Sequence, residues 1–415
     1  MNKKIKILII NIEFFRGGAA KIARTLFYKL NNEDSFDCYF AYGRGKQAKG
    51  KRVAKFAYWP EVYLHGLLTR GSGLQGYGSF FSTIKLERFI SEQKFDLIHL
   101  HNLHGYCIDL SFIDFLEKIK IPIVWTLHDG WLITGRCAFS FNCEKWKTGC
   151  GNCEDLESYP RAYVDTTNFM WKKKKKIFST GWNPVIISPS KWLADKLQES
   201  YLKNFQIKVI SNGIDSDIFK PKSKKIVREK YGISDNKKVI LYVAADLKDR
   251  KKGVKYFLES LKFINTKDCM VLTLGKEIKD NRLLNVEVET KQIGYVNNEN
   301  EISDIYNLAD IYCTSSLDEV FGLTVTEAMA CGVPVVGFRV GGIPEQVTDD
   351  CGIMIELKDT KSLGEALKGL LHNDELRSEF SKNCRKRVLE NYTIDKFVNN
   401  YINIYNETLR RGTNK

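Results

Sequence analysis

Short apolar runs of strand length recur along this chain, and each is followed by a segment with helical spacing. "KIKILIINI" gives way to "FFRGGAAKIARTLFYKL", where a glycine pair ends a loop and apolar positions then fall at helical intervals. The alternation returns in "FDLIHLHN", "IPIVWTLHD" and "PVIISPSKWLADKL". A second series runs through "KKVILYVAADL", "DCMVLTLG", "DIYCTSS" and "VPVVGF". This order is that of parallel strands joined by crossover helices, so the pattern predicts an α/β chain in two halves. At 415 residues the chain also exceeds what one hydrophobic core usually serves. A ligand cleft between the halves is the natural expectation.

The seam is expected near "VISNGIDSDIFKPKSKK", where Asn-Gly, a proline and a lysine cluster are loop signals. This divides the chain into residues 1–215 and 216–392. "FVNNYINIYNETLRR", within 393–415, has apolar residues at helical spacing. The start, "MNKKIKILIINIEFFRGGAA", imitates a signal peptide, but Asn11, Glu13 and Arg16 interrupt it, and no apolar run reaches membrane-spanning length. A soluble, cytoplasmic protein is expected. Eleven cysteines without a secretory signal fit reduced thiols better than a disulfide framework. The net charge of +14 calls for an acidic partner: nucleic acid, anionic lipid or a phosphorylated substrate.

The segment "FAYWPEVYLHGLLTRGSGLQGYGSFFS" is rich in aromatics and glycine and includes Arg70. It reads either as a core helix followed by a mobile loop or as a surface that receives a sugar or a lipid.

The strongest chemical signal is "DEVFGLTVTEAMACGVPVVGFRVGGIPE", residues 318–345, in which Glu319 and Glu327 stand eight apart. A Gly322 turn leading into a helix puts backbone N–H groups and the positive helix end at one point, which suits a phosphate. Glu327, about one turn in, is placed to accept ribose hydroxyls, and Glu319 to reach hydroxyls beyond the phosphates. Taken alone, two glutamates near a helix start equally satisfy the dipole and face water.

The string resembles the signature of glycosyltransferase family 4. The resemblance extends through "GGAAKIA", "TLHD", "SPSKWL", "VISNGID", "RKKGV" and "EISDIYNLADIY", in that order. It implies the GT-B fold, two Rossmann-like domains facing each other across a cleft, with residues 393–415 packing back on the N-terminal domain. It implies a retaining transfer from a nucleoside-diphosphate sugar without a catalytic metal. The leaving phosphate itself helps to deprotonate the incoming hydroxyl. By the same resemblance Glu319 contacts the donor sugar, Glu327 the ribose, and Phe321, Gly322 and Leu323 form the donor-binding turn. Lys252 matches the family's phosphate clamp, since charge developing on a leaving diphosphate needs a preorganised cation. Many members carry an arginine shortly before that lysine, where this chain has Asp246, and Arg250 is the candidate replacement.

His128 ends a strand run, at the sheet edge where α/β folds place ligands. The family loop at this point touches the donor sugar. Gly17 and Gly18 allow close approach of backbone to phosphates or acceptor. Within "HLHNLHGY", strand alternation puts His99 and His101 on one face, so a three-histidine metal site is not expected. His101 or His104 is instead a candidate acceptor contact or base.

Cys137, Cys143, Cys150 and Cys153 are spaced C-x5-C-x6-C-x2-C within the loop 128–160. Four thiolates would close a tetrahedral structural zinc site beside His128, and free thiols or disulfides are the alternatives. "TGRCAF", "WKTGC" and the following "YP" resemble the corresponding loop of colanic-acid, capsule and O-antigen transferases. That implies a polyprenyl-diphosphate-linked glycan acceptor and a peripheral place on the inner membrane face. The lysine run 172–176 then serves either anionic lipid or only a solvated helix face. The rival readings are another enzyme of similar architecture, such as a nucleotide-sugar epimerase or a phosphorylase, a non-catalytic partner subunit, and a basic nucleic-acid-binding protein with a cysteine knuckle, although no nucleic-acid module is recognisable.

Overall fold

The computed structural model describes residues 3–179, 182–264, 269–276 and 288–413. The chain divides into two units, Met1–Ile210 with Val398–Lys415, and Ser211–Phe397.

The first unit is built on strands β1 (Ile5–Glu13), β2 (Phe36–Arg44), β3 (Val53–Lys55), β4 (Leu97–Leu100), β5 (Ile123–Thr126), β6 (Val185–Ser188) and β7 (Ile207–Val209). Its helices are α1 (Gly18–Asn31), α2 (Trp59–Ser72), α3 (Phe80–Gln93), α4 (Ser111–Lys118), α5 (Thr167–Ile177) and α6 (Lys191–Gln198). The sheet is parallel, in the order β3-β2-β1-β4-β5-β6-β7. β4, β5 and β6 are buried at every position, as strands covered by helices on both faces must be.

The second unit carries β8 (Lys238–Asp246), β9 (Cys269–Lys276), β10 (Glu289–Gly294), β11 (Ile311–Thr314), β12 (Val335–Phe338) and β13 (Gly352–Ile355). Its helices are α7 (Lys224–Tyr231), α8 (Val254–Ser260), α9 (Glu299–Leu308), α10 (Leu323–Ala330), α11 (Ile343–Gln346), α12 (Thr360–Leu371) and α13 (Asp374–Asn391). The order β10-β9-β8-β11-β12-β13, again parallel, repeats the doubly wound arrangement of the first. Its core gathers Val239, Leu241, Leu272, Tyr312, Val325, Met329 and Val335.

The expected strands are present, with Asp268 of "DCMVLTLG" outside the described residues. Others lie where the pattern showed none. β2 and β3 stand between the first two strands expected, because Asp37 and Gly43 blur the apolar run and β3 is three residues long. β10 is a half-exposed edge strand whose polar sequence, ETKQIG, carries no apolar signal.

The seam lies earlier than residue 216, and the second unit extends past residue 392. Ile214 bridges to Thr393, its N–H donating to Tyr392 O at 2.8 Å and its carbonyl accepting from Ile394 N at 3.1 Å. A Cβ on Gly213 would lie 2.7 Å from Cβ of Phe397, so this segment is closed against its own unit. Of the lysine cluster, Lys220 and Lys222 lie in the connecting loop, while Lys224 opens α7 and its Nζ bonds Asp310 at 2.7 Å.

The last helix, α14 (Ile394–Thr413), belongs to the first unit from Val398 onward. Buried Tyr401 and Tyr405 reach the strand ends there: Tyr401 OH lies 2.7 Å from Thr126 Oγ1, and Tyr405 OH 2.7 Å from His99 Nδ1.

Candidate active site

Each sheet places its polar residues just beyond the carboxyl ends of two adjacent central strands, β1 and β4 in one unit, β8 and β11 in the other. These are the switch points at which doubly wound sheets open a crevice.

In the second unit, β8 runs into a turn with Asp249 as cap, its carboxylate accepting Lys251 N–H at 3.0 Å, and then a short 3-10 turn, Arg250–Lys252. Gly253 follows with φ 63°, and a Cβ there would meet Ser315 O at 2.1 Å, so only glycine lets this turn close on β11. Leu317 N bonds Lys251 O at 2.7 Å and Ser315 Oγ bonds Gly253 O at 2.9 Å, stitching the two strand ends together. The product of this stitching is an ion pair: Lys252 Nζ stands 2.6 Å from Glu319 Oε2.

Glu319 is itself held from behind. Its carbonyl accepts Gly342 N–H at 2.9 Å, and a Cβ on Gly341 would lie 1.8 Å from that oxygen. Burial alone would raise the Glu319 carboxyl, but the Lys252 and Lys251 ammonium groups and the Gly322 N–H outweigh it and hold it at about 2. Gly322 has φ 80° and precedes α10, which has no side-chain cap and no acidic residue in its first turn. That leaves the positive helix end to an anion. Phe321 is buried and packs on Tyr392, and Leu323 is half-buried against the core. Glu327, 7% exposed, accepts the Tyr306 hydroxyl at 3.0 Å. The structure therefore brings Lys252, Glu319, Gly322 and Glu327 to one sheet edge.

Arg250 is placed differently. It lines a groove of about 510 Å³ with Lys248, Lys255 and Lys358, and neither Lys252 nor Glu319 is part of that wall. Asp246, at the position of the family arginine, is used locally, its Oδ1 accepting Lys248 N–H at 2.9 Å.

In the first unit, Gly17 adopts φ 90° ahead of α1, which starts at Gly18 without a side-chain cap, and an added Cβ on Gly17 would meet nothing within 4 Å. Its conformation, not a protein contact, demands glycine. His128 follows β5, and its Nε2 lies 2.8 Å from Nδ1 of His101, with the two rings 13° from coplanar. Burial holds the His128 imidazole down at about 4. His101 is fully buried, which removes it as a direct contact or base for an acceptor. His104 bonds Asp129 Oδ2 at 2.8 Å and is also buried. His99 is held by Tyr405 and, through Nε2, by Thr126 at 2.8 Å. Sequence spacing had set His101 and His128 apart. Only the register of β4 with β5, His99 opposite Val124 and Leu100 opposite Trp125, makes them neighbours.

None of the eleven cysteines forms a disulfide. Among the described residues no group of three or more His, Cys, Asp or Glu side chains is arranged to hold a metal ion, so the structure does not bring Cys137, Cys143, Cys150 and Cys153 together as a ligand set. They are neighbours nonetheless. Burial pushes the Cys137 thiol up to about 12, with Cys150 and Cys153 adding to the rise. Each makes local contacts: Gly135 N–H donates to Cys150 Sγ at 3.1 Å, and Cys143 is exposed.

What fastens the loop is Arg136, 1% exposed, whose guanidinium donates to the carbonyls of Asp155 at 2.7 Å, Ser158 at 2.6 Å and Pro160. Trp146 Nε1 bonds Cys143 O, and Trp171 Nε1 bonds Trp146 O, each at 2.9 Å. The lysine run is split as well. Lys174 is fully buried, donating to Trp131 O at 2.5 Å above the Trp131 ring, while its run neighbours face outward.

Two family models match the chain: Glycosyltransferase Family 4 over residues 16–218, and Glycosyl transferases group 1 over residues 223–387. A glycosyl transferase of Escherichia coli K12 assigned to colanic acid biosynthesis as WcaC is 28% identical over 96% of this chain and 100% of its own length. Among solved structures, sucrose-phosphate synthase from Thermosynechococcus elongatus matches with a TM-score of 0.76 at 16% identity, covering 98% of this chain and 100% of that one. Anabaena Alr3699/HepE, solved in complex with UDP-glucose, matches with a TM-score of 0.67 at 16% identity over 97% of this chain and 100% of its own. With two parallel Rossmann-like sheets of seven and six strands, these matches make the chain an enzyme of the GT-B glycosyltransferases, belonging to family 4 and the group 1 transferases.

Proposed function

We propose that the protein transfers a sugar, with retention of configuration, from a nucleoside-diphosphate donor to a lipid-linked glycan during surface-polysaccharide assembly. The observation that carries this reading is the Lys252–Glu319 pair beside the uncapped start of α10, with Glu327 one turn further on. When the sugar–phosphate bond breaks, charge grows on the leaving phosphate. Lys252 and the α10 N–H groups are fixed before the reaction, so they meet that charge without reorganising. Glu319, kept ionised by Lys252, then accepts hydroxyl hydrogen bonds from the sugar, and Glu327 accepts from the ribose. By the family resemblance, His128 is the further residue that contacts the donor sugar. The colanic acid relative and the UDP-glucose held by HepE support the same assignment.

For the acceptor, the supporting surface is α2. Trp59, Tyr63, Leu64 and Leu67 are exposed on it, with Phe80 and Phe81 at the start of α3. A groove of about 560 Å³ joins Trp59, Tyr63 and Leu67 to Arg44, Lys55, Arg70 and Arg161. Aromatic side chains rimmed by cations suit the anionic interface of a membrane, where a lipid-linked acceptor resides. Among the described residues no helix is long and apolar enough to cross a membrane. α2 thereby replaces the core-helix reading, since only His65 and Thr69 of it are buried.

The test is calorimetric titration of the full chain with UDP, GDP, ADP and CMP, repeated with Lys252→Ala and Glu327→Ala. Binding of one nucleoside diphosphate, lost in both variants, is expected. If none of the four binds, the donor-site assignment is wrong.

A further inference from the structure

The pairing of His101 with His128 has a direction that hydrogen-bond accounting decides. The Nδ1 of His101 and the Nε2 of His128 are 2.8 Å apart, and ring centroids 5.1 Å apart with planes 13° from parallel describe an edge-to-edge bond between two nitrogens. One nitrogen must donate and the other accept.

The backbone of His101 is held on both sides, which places its ring beside that of His128. Its N–H donates to Ile10 O at 2.9 Å and its carbonyl accepts Trp125 Nε1 at 2.9 Å. The His99 ring lies 4.2 Å away, itself held by Thr126 and Tyr405. The remaining ring nitrogen of His101, Nε2, is buried and has no partner among the described residues.

A proton on that Nε2 would be a buried donor without an acceptor, whereas a bare lone pair there is the lesser loss. The proton therefore belongs on Nδ1, inside the bond to His128. Burial keeps both rings neutral, holding His101 well below the usual imidazole range. His128 accepts at Nε2 and must carry its own proton on Nδ1, an atom that no described residue engages and that is not among the buried unpaired ones.

We propose that His101 is a positioning residue that fixes His128 as the Nδ1–H tautomer, so that His128 presents a hydrogen-bond donor, not a base, to an oxygen of the bound sugar. The inference rests on the reading that His128 faces the donor sugar. It also gives a reason for burying a histidine where a leucine would pack.

The test has a spectroscopic arm and a kinetic arm, both on the full chain. Long-range proton–nitrogen spectra of protein labelled with 15N-histidine, His128 being assigned by its loss in His128→Asn, are expected to show Nδ1 protonated and Nε2 bare. His101→Asn, whose amide nitrogen takes the place of the ring Nδ1–H, keeps that signature, and His101→Phe loses it. In the wild type, an Nε2-protonated His128 overturns the proposal whatever the His101 variants show.

In turnover, His101→Phe is expected to lower kcat about tenfold or more, with recovery to within about threefold in His101→Asn. His128→Asn, which keeps a donor near Nδ1, should exceed His128→Gln. Equal losses in both His101 variants would mean that His101 only packs. If the tautomer is as described but His128 variants turn over normally, the tautomer stands and the placement of His128 at the sugar fails.

Discussion

Lys252 Nζ and Glu319 Oε2, 67 positions apart in sequence, meet at 2.6 Å because the turn after β8 is stitched to the end of β11. The pair has two readouts. It keeps Glu319 ionised, and it points a cation at the place where a leaving phosphate is proposed to sit.

The first prediction concerns their coupling. Lys252→Ala and Glu319→Ala should each lower kcat/KM by roughly 10²–10³, the cost of removing a preorganised electrostatic group. Because the groups touch, the double variant should lose much less than the product of the two, with a coupling of about 1–3 kcal/mol. Losses that simply multiply would mean that the two act independently.

The second concerns acid. The Glu319 carboxyl is held at about 2 against an ordinary value of 4.5, so its ionisation favours the folded state. The contribution is fully present above pH 4.5 and is lost as pH falls through 2; in size it is about 3 kcal/mol. Glu319→Gln should therefore flatten the acid limb of stability for the second unit. All seven tryptophans lie at or before Trp192, so hydrogen exchange in β8 and β11 is the suitable probe. An unchanged acid limb in Glu319→Gln would contradict the depressed carboxyl.

The third concerns the cysteine loop. Arg136→Met leaves the carbonyls of Asp155, Ser158 and Pro160 without their donor, at a cost of about 3 kcal/mol or more. Denaturant unfolding followed by tryptophan emission reads this directly through Trp131, Trp146 and Trp171. A chelator should leave the wild-type midpoint unchanged, and a midpoint that falls with chelation would restore zinc as the clasp.

The fourth concerns the membrane. Trp59→Ser with Leu67→Ser should reduce partition onto phosphatidylglycerol vesicles about tenfold, as loss of two interfacial apolar anchors implies. Lys172→Gln with Lys173→Gln should matter less, since the run lacks the exposed aromatic anchors of α2 and one of its five lysines, Lys174, is buried against Trp131. Nucleotide binding should be unchanged in both double variants. The reverse ranking would move the membrane contact from α2 to α5.

Much of this molecule was legible in one dimension, and the reason is locality. Strand-length apolar runs followed by helical spacing are properties of neighbouring residues, and they announced two parallel α/β halves. The motif around Glu319 and Glu327 is local in the same way: a glycine turn, a helix start and a carboxylate one turn later need nothing from the rest of the chain. What sequence spacing could not supply is any relationship that depends on strand register or on burial. His101 beside His128 follows from β4 lying next to β5, Lys252 beside Glu319 follows from one tight turn closed by Gly253, and the seam at Ser211 follows from Ile214 pairing with Thr393. The cysteine spacing suggested a metal, but folding set Arg136 against three carbonyls and left the thiols as neighbours, because a buried guanidinium satisfies several backbone acceptors at once. Lys174 shows both at once: helical spacing from Met170, Trp171 and Ile177 puts it on the apolar face of α5, but only the packing of that face against Trp131 takes its ammonium out of water and gives it a carbonyl.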